Sequence, residues 1–280
     1  MNIITDIKEM QETAIKLKKQ DKSIGFVPTM GYLHIGHKEL ILNARKTNDI
    51  VIVSIFVNPL QFGINEDLDK YPRNICADTQ LCESINVDFL FIPDTSSLTQ
   101  NLLMQIQPSR LDQYLCGASR PGHFTGVCTI VAKLFNITLP DTAYFGKKDI
   151  QQLKIIEQMV MDLNIPVRII PVETVREHDG LAYSSRNSYL TQKERGIATI
   201  VPDVINLITQ QIKSHLGREE ILNNALTFID NEKLALVNYI EIVDEKTLAP
   251  TDDFKQNIVI AVAIYIGNTK LIDNRLIKYT

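Results

Sequence analysis

Gly25-Phe26-Val27-Pro28-Thr29-Met30-Gly31-Tyr32-Leu33-His34-Ile35-Gly36-His37 is the stretch whose reading decides the fold. An apolar run at 24–27 ends at Pro28, and from Ile35 onward Leu40, Ile41 and Ala44 fall at helical spacing. The spacing predicts a strand, a tight loop and a helix start, a geometry in which free backbone N–H groups face an anion. His34 and His37 share one side of the first helical turn. Gly36 between them carries no side chain, which leaves room for a close backbone or a flat ligand. A ligand bearing phosphate suits such a turn.

Outward from this turn, residues 50–57 (IVIVSIFV) form an unbroken run rich in β-branched residues, as expected of a strand buried on both faces of a parallel sheet. Residues 88–92 (DFLFI) read as another short strand after a helical stretch at 74–85. Upstream, residues 6–20 are amphipathic, with Ile7, Met10, Ala14 and Leu17 on one helical face. Strands alternating with helices predict a doubly wound, Rossmann-like α/β domain. Its ligands gather beyond the carboxyl ends of the strands.

At one such end stands Asn58-Pro59-Leu60-Gln61-Phe62-Gly63, followed by Glu66-Asp67 and Tyr71-Pro72-Arg73. Side-chain amides both donate and accept hydrogen bonds, which suits a neutral hydroxylated ligand. Arg120-Pro121-Gly122-His123-Phe124-Thr125-Gly126-Val127 then leads into a helix carrying Ile130, Val131, Leu134 and Phe135. In Ala143-Tyr144-Phe145-Gly146-Lys147-Lys148-Asp149-Ile150-Gln151-Gln152 the pattern is strand, glycine turn and helix. Lys148 at that helix start can reach a phosphate as a mobile point charge, and Gln152, one turn on, can share its face. A final apolar strand at 167–172 is followed by residues 174–187, TVREHDGLAYSSRN, where small hydroxyls beside an arginine suit a loop closing on phosphate.

His-x-Gly-His directly after an apolar strand resembles the signature of the nucleotidylyltransferase superfamily. Phe-Val-Asn-Pro-x-Gln-Phe at 56–62 and Tyr-Pro-Arg at 71–73 narrow this, and with the later motifs the stretch 24–190 resembles the pantothenate synthetase family. Two departures stand out: Lys147 occupies a position where that family often has Glu, and Tyr183 one where it usually has Met.

The resemblance implies an ATP-dependent ligase that joins pantoate to β-alanine through a pantoyl adenylate, releasing AMP and pyrophosphate. It assigns catalysis to His37, His34 and Lys148. ATP binding falls to Met30, Gly31, Tyr32, Leu33, His34, Ile35, Gly36 and His37, to Gly146, Lys147, Lys148 and Asp149, and to Val175, Tyr183, Ser184, Ser185 and Arg186. Gln61 and Gln152 are expected to hold pantoate or β-alanine, Mg²⁺ to arrive with ATP, and Asp78 to make an outer contact to that metal. A homodimer is also implied. An adenylyltransferase acting on a phosphorylated metabolite fits the two glutamines less well, because a phosphate acceptor calls for more cationic contacts. A nucleotide sensor without turnover is disfavoured by phosphate-handling residues spread over several loops.

The remainder changes character. Residues 191–216 are helical in pattern, with Pro202 expected to kink the helix or begin a new one. Residues 219–229 form a second helix, and 237–243 and 258–266 are strands, with Gly267-Asn268 turning toward Leu271 and Ile272. The division expected is 1–175 for an ATP- and pantoate-binding domain and 176–280 for a small C-terminal α+β lid. At 280 residues the chain can fill two modest cores, and a net charge of −4 gives no electrostatic footprint for nucleic acid. No apolar run reaches membrane-spanning length, and no signal-peptide pattern follows Met1. Cys76, Cys82, Cys116 and Cys128 form no Cys-x-x-Cys pair, and all four are expected to be buried thiols in a reducing cytoplasm.

Overall fold

The computed structural model describes residues 1–64 and 66–279, so Asn65 and Thr280 lie outside the described residues. Contacts between Cα atoms divide the chain into two compact units. One comprises Met1–Asp112, Gly117–Lys147 and Gln152–Glu173; the other comprises Gln113–Cys116, Lys148–Gln151 and the segment from Thr174 onward.

The first unit is built on a six-stranded sheet in the order β1-β4-β3-β2-β5-β6, parallel throughout. Its elements run β1 (Asn2–Ile4), α1 (Ile7–Lys18), β2 (Ile24–Thr29), α2 (Ile35–Thr47), β3 (Ile50–Ile55), α3 (Ile75–Ser84) and β4 (Phe89–Phe91). After these come α4 (Thr95–Thr99), all but the first two residues of α5 (Leu115–Ser119), α6 (His123–Thr138), β5 (Thr142–Gly146), all but the first two residues of α7 (Ile150–Asp162), and β6 (Arg168–Val172). The central strands are apolar on both faces because helices cover both, and Phe26, Val51, Ile52 and Val53 are fully buried. Each such side chain contributes about 1.5–3 kcal/mol. Helix α2 adds Leu40, Ile41 and Ala44, which join Val27, Val51, Val53 and Tyr144 in one cluster.

Strand β1 is a finding: residues 2–4 carry no strand signal that stands apart from the chain start, yet they pair with β4 at the sheet edge. A second finding concerns β2, which continues past Pro28 to Thr29. Its pairing with β5 stops at Phe26↔Ala143, whereas its pairing with β3 runs on to Thr29↔Ile55. Ile24 turns its N–H toward the β5 side, where Asp141 accepts it at 2.8 Å. The alternation of a strand puts the Pro28 nitrogen on that same side, where pairing has ended and no N–H is required. The carboxyl half of β2 is thus released from β5. The strand order also reverses between β2 and β5, the place where open α/β sheets bind ligands.

The second unit contains α8 (Gln192–Ile197), α9 (Ile200–Lys213), α10 (Arg218–Asp230) and the antiparallel sheet β7 (Ala235–Asp244), β8 (Ile258–Ile266) and β9 (Thr269–Ile277). Pro202 sits in the first turn of α9, so it begins a new helix, as its missing N–H permits. Val201, Val204, Ile205 and Ile208 on α9 pack with Ile221, Ala225 and Ile229 on α10 against Ile260, Val262 and Ile264 of β8. The expectation of four buried thiols is corrected. Cys82 and Cys128 are buried, and their pKa is pushed up by that burial to about 12. Cys76 is exposed on the solvent side of α3 and Cys116 is half-buried. Among the described residues no helix is long and apolar enough to cross a membrane.

Candidate active site

The β2–α2 connection is a left-handed turn held from outside. Gly31 has φ +80°, and a Cβ there would come within 2.9 Å of Ile55, so only glycine fits. Tyr32 follows with φ +50°. Such a conformation in a bulky residue needs external support. Asp78 of α3 supplies it: its two carboxylate oxygens accept the N–H groups of Tyr32 at 2.8 Å and Leu33 at 2.6 Å. Only 2% of Asp78 is exposed, and burial raises its pKa despite those two bonds, which pull the other way.

The turn delivers His34 to the N-cap of α2. Its Nδ1 accepts the Gly36 N–H at 3.1 Å, and Nδ1 of His37 accepts the His34 N–H at 3.2 Å. The rings lie 4.1 Å apart at 46°. A ring nitrogen that accepts a backbone N–H carries no hydrogen of its own, so in the neutral imidazoles the hydrogen resides on Nε2. Both histidines therefore present Nε2–H as a donor, which is what an oxyanion requires. Gly36 does not leave its space to a ligand: a Cβ there would lie 2.9 Å from Cε1 of His34, so the glycine accommodates the histidine ring. Met30, Tyr32 and Leu33 are half-buried, while Ile35 is 42% exposed.

Beyond β3, Pro59–Gln61 form a single 3₁₀ turn capped by Asn58, whose Oδ1 accepts the Leu60 N–H at 3.1 Å. Asn58 is 1% exposed and also donates to the Gly126 carbonyl and to Oε1 of Gln61, each at 3.1 Å. Gln61 Nε2 lies 3.2 Å from the Met30 sulfur, joining the loops after β2 and β3. The Gln61 carbonyl is held twice, by His123 Nδ1 at 2.7 Å and by Arg120 Nη2 at 3.0 Å. Because that carbonyl only accepts and Arg120 Nη1, 3.1 Å from His123 Nε2, only donates, His123 is the Nδ1–H tautomer. Arg120 is fixed in turn by Glu66 through a forked ion pair. Burial pushes the Glu66 pKa up, but the Arg120 hydrogen bond and charge outweigh it and hold the carboxyl below its usual range. These supports of Gln61 escape a sequence reading, in which residues 120–127 do no more than lead into a helix. Arg73 donates to the carbonyls of Leu68 and Tyr71 at 3.0 Å each, and with Met30, Gly31, Phe56 and Asp78 it lines a cavity of about 340 Å³.

At the carboxyl end of β5, Gly146 stands in open space, and Lys147 forms an ion pair with Glu173 at the end of β6. That pair gives the first departure from the family pattern a local partner. Gln152 is half-buried on α7.

In the second unit, Lys148 is half-buried and Asp149 exposed. Residues 175–183 fold back on themselves: Arg176 bridges Ala182, and the Tyr183 N–H donates to the Val175 carbonyl at 3.1 Å. Arg195 clamps this hairpin by holding Glu177 and Asp179, each at 2.8 Å. Ser184 caps the following 3₁₀ turn, Ser185–Tyr189, its Oγ accepting the Arg186 N–H at 3.2 Å. Ser185 is buried, Arg186 half-buried.

Among the described residues no group of three or more His, Cys, Asp or Glu side chains could hold a metal ion. Asp78 already spends both oxygens on backbone N–H groups. Such a donor set fits a cation that travels on substrate phosphates with its own water ligands, not a protein-built cage.

A model of the pantoate–beta-alanine ligase family matches residues 2–276. A pantothenate synthetase from Sulfurihydrogenibium sp. is 48% identical over 277 residues, covering 98% of this chain and 99% of the relative. One from Fervidobacterium nodosum is 46% identical over 279 residues, covering 99% and 100%. Among solved structures, pantothenate synthetase from Thermus thermophilus superposes with a TM-score of 0.92 at 37% identity, covering 98% of this chain and 99% of that one. Pantoate-beta-alanine ligase from Francisella tularensis, complexed with beta-gamma ATP and beta-alanine, gives 0.82 at 39% identity, covering 99% and 97%.

Proposed function

The chain belongs to the pantoate–beta-alanine ligase family and catalyses ATP-dependent formation of pantothenate; from that premise we propose that it works through a pantoyl adenylate, with the turn at 30–37 gripping the phosphates. A carboxylate is a poor electrophile because its leaving group would be oxide. In the proposed first step a pantoate carboxylate oxygen attacks the α-phosphorus of ATP, and the bond to the β-phosphate bridging oxygen breaks, releasing pyrophosphate. The β-alanine amine, free of its proton, then attacks the acyl carbon, the bond to AMP breaks, and the amine proton passes to solvent.

The observation that carries this reading is the paired Nε2–H donors of His34 and His37 at a helix N-terminus, on the released end of β2. Donors fixed before reaction stabilise charge as it builds on the leaving pyrophosphate without reorganising. Lys148, Ser184, Ser185 and Arg186 are assigned to the same phosphates, and Gly146, Lys147, Asp149, Val175 and Tyr183 to the rest of the nucleotide. Gln61, braced by Asn58 and Met30, and Gln152 are assigned to pantoate and β-alanine. The divalent cation is taken to be Mg²⁺, entering as part of the nucleotide substrate. Aminolysis depends on placing the amine and excluding water more than on a strong base.

Residues 1–175 are assigned to ATP and pantoate binding and 176–280 to a smaller lid. A homodimer, to be checked by light scattering, and a cytoplasmic setting, suited to four free thiols, complete the proposal. The mechanism is tested with pantoate labelled by ¹⁸O in its carboxylate: one labelled oxygen is expected in the AMP product. Label found only in phosphate or water would reject the adenylate.

A further inference from the structure

Two neighbouring residues of β9 hold the two segments of the second unit to which phosphate binding is assigned. Asp273 is 3% exposed and takes the Arg176 guanidinium on both oxygens, at 2.5 and 2.9 Å. Arg176 also donates to the Gly180 carbonyl at 3.0 Å, closing the hairpin that leads into Tyr183–Arg186. Asn274, 8% exposed, sends its Nδ2 to the Lys148 carbonyl at 2.7 Å. Consecutive strand side chains point to opposite faces, so one strand step places the two anchors back to back. The strand is itself rigid, paired with β8 without a break from Ile258↔Ile277 to Ile266↔Thr269. A second brace, Gln151 Nε2 to the Tyr114 carbonyl at 2.8 Å, keeps the Lys148–Gln151 segment from pivoting about the Asn274 bond.

We infer that Asp273 and Asn274 are positioning residues for adenylate formation, setting Lys148 and the Ser184–Arg186 loop at a fixed spacing through Arg176 and the Lys148 carbonyl. This rests on the reading of Lys148 as a phosphate ligand. Neither residue touches substrate in this role. Asp273 acts through a side-chain fork on the hairpin, and Asn274 through one backbone carbonyl. Their sequence neighbourhood, Ile272-Asp273-Asn274-Arg275, carries no motif that announces it. A misplacement of the order of one ångström in a charge-stabilising group is enough to slow the step that uses it.

The test separates the two half-reactions. Asn274→Asp keeps the shape but sets an acceptor against the Lys148 carbonyl, and Asn274→Ala removes the donor. Pantoate-dependent exchange of labelled pyrophosphate into ATP is expected to fall about tenfold, while aminolysis of supplied pantoyl adenylate by β-alanine, which uses no β- or γ-phosphate contact, stays within about twofold. In a Lys148→Ala background, Asn274→Ala should add less than about a twofold further loss, because the group it positions is gone. Equal losses in both half-reactions, fully multiplicative losses in the double variant, or unfolding of both Asn274 variants would overturn the inference. Normal exchange in Lys148→Ala alone would instead remove Lys148 from the phosphate site, a failure of the underlying reading that this control distinguishes.

Discussion

The turn at 30–37 in the first unit and the hairpin at 175–183 in the second are both assigned to the nucleotide, yet they are made rigid by different means. The turn is shaped by backbone: positive φ at Gly31 and Tyr32, two N–H groups on Asp78, and two histidines that cap one helix start and one another. The hairpin is stapled by side-chain charge, Arg195 across Glu177 and Asp179 and Arg176 onto Asp273. A helix start offers preset donors for an anion. A charge-stapled hairpin offers a segment whose shape depends on a carboxylate far along the chain, Asp273. The first arrangement suits the groups that must meet developing charge, and the second suits a segment that supplies binding.

The sharpest break in that comparison comes from His37→Ala. If its Nε2–H stabilises charge on pyrophosphate, kcat falls by about 10²–10³, the cost of removing one preorganised donor. Thermal stability should change little, because the loss of one cap at a helix start is about 1 kcal/mol. Steady-state rates beside a melting curve decide it; a lower Tm with turnover intact would assign the residue to folding alone.

Gln61→Ala tests the neighbouring loop. The pantoate KM should rise about tenfold or more, near 1.4 kcal/mol, while ATP binding by calorimetry without pantoate stays close to that of the parent. Equal loss of both affinities would mean that the turn after β3 has collapsed along with its contact to Met30.

Acidification should distinguish the two regions by order. The folded-state pKa of Asp78 is raised by burial, so protonation comes first there, above the usual aspartate value. For an acid raised on folding, the fold carries a penalty at higher pH that is relieved as pH falls through the folded value; global stability does not drop there, but the turn loses an acceptor. Asp179 is lowered, chiefly by its hydrogen bond from Arg195. Its stabilisation is present above the unfolded value and lost as pH falls through the lower folded one. Amide chemical shifts of Tyr32 and Leu33 should therefore titrate at higher pH than that of Leu181, whose N–H donates to Asp179 at 3.2 Å. The reverse order would contradict this account of both carboxylates.

What could be read in the sequence was local. Strand β2, its loop and α2 follow one another directly, so apolar run, Pro28, two glycines and two histidines already describe the turn. Gln61 was legible for the same reason. The supports were not: Asp78 lies 46 residues from Tyr32, Asp273 lies 97 from Arg176, and Asn274 lies 126 from Lys148. Asp78 in particular reads in the sequence only as a candidate outer metal contact, and that its carboxylate sets the turn is seen only in the fold. Strand β1 stayed hidden because three residues hold no periodicity; it is created by the β4 edge it joins.

The smallest effect is expected at Tyr183, whose main-chain N–H is committed to Val175. If the backbone there faces the nucleotide and the side chain is tolerated, Tyr183→Met leaves the ATP KM within about threefold, less than 1 kcal/mol. A tenfold loss of ATP affinity with kcat kept would assign the ring to the nucleotide pocket.

The central claim, that the phosphate-gripping turn serves an adenylation complete in itself, is tested most directly by isotope exchange. With ATP, Mg²⁺ and pantoate but no β-alanine, labelled pyrophosphate should enter ATP, because formation of the adenylate is reversible. Exchange that appears only once β-alanine is added would contradict it.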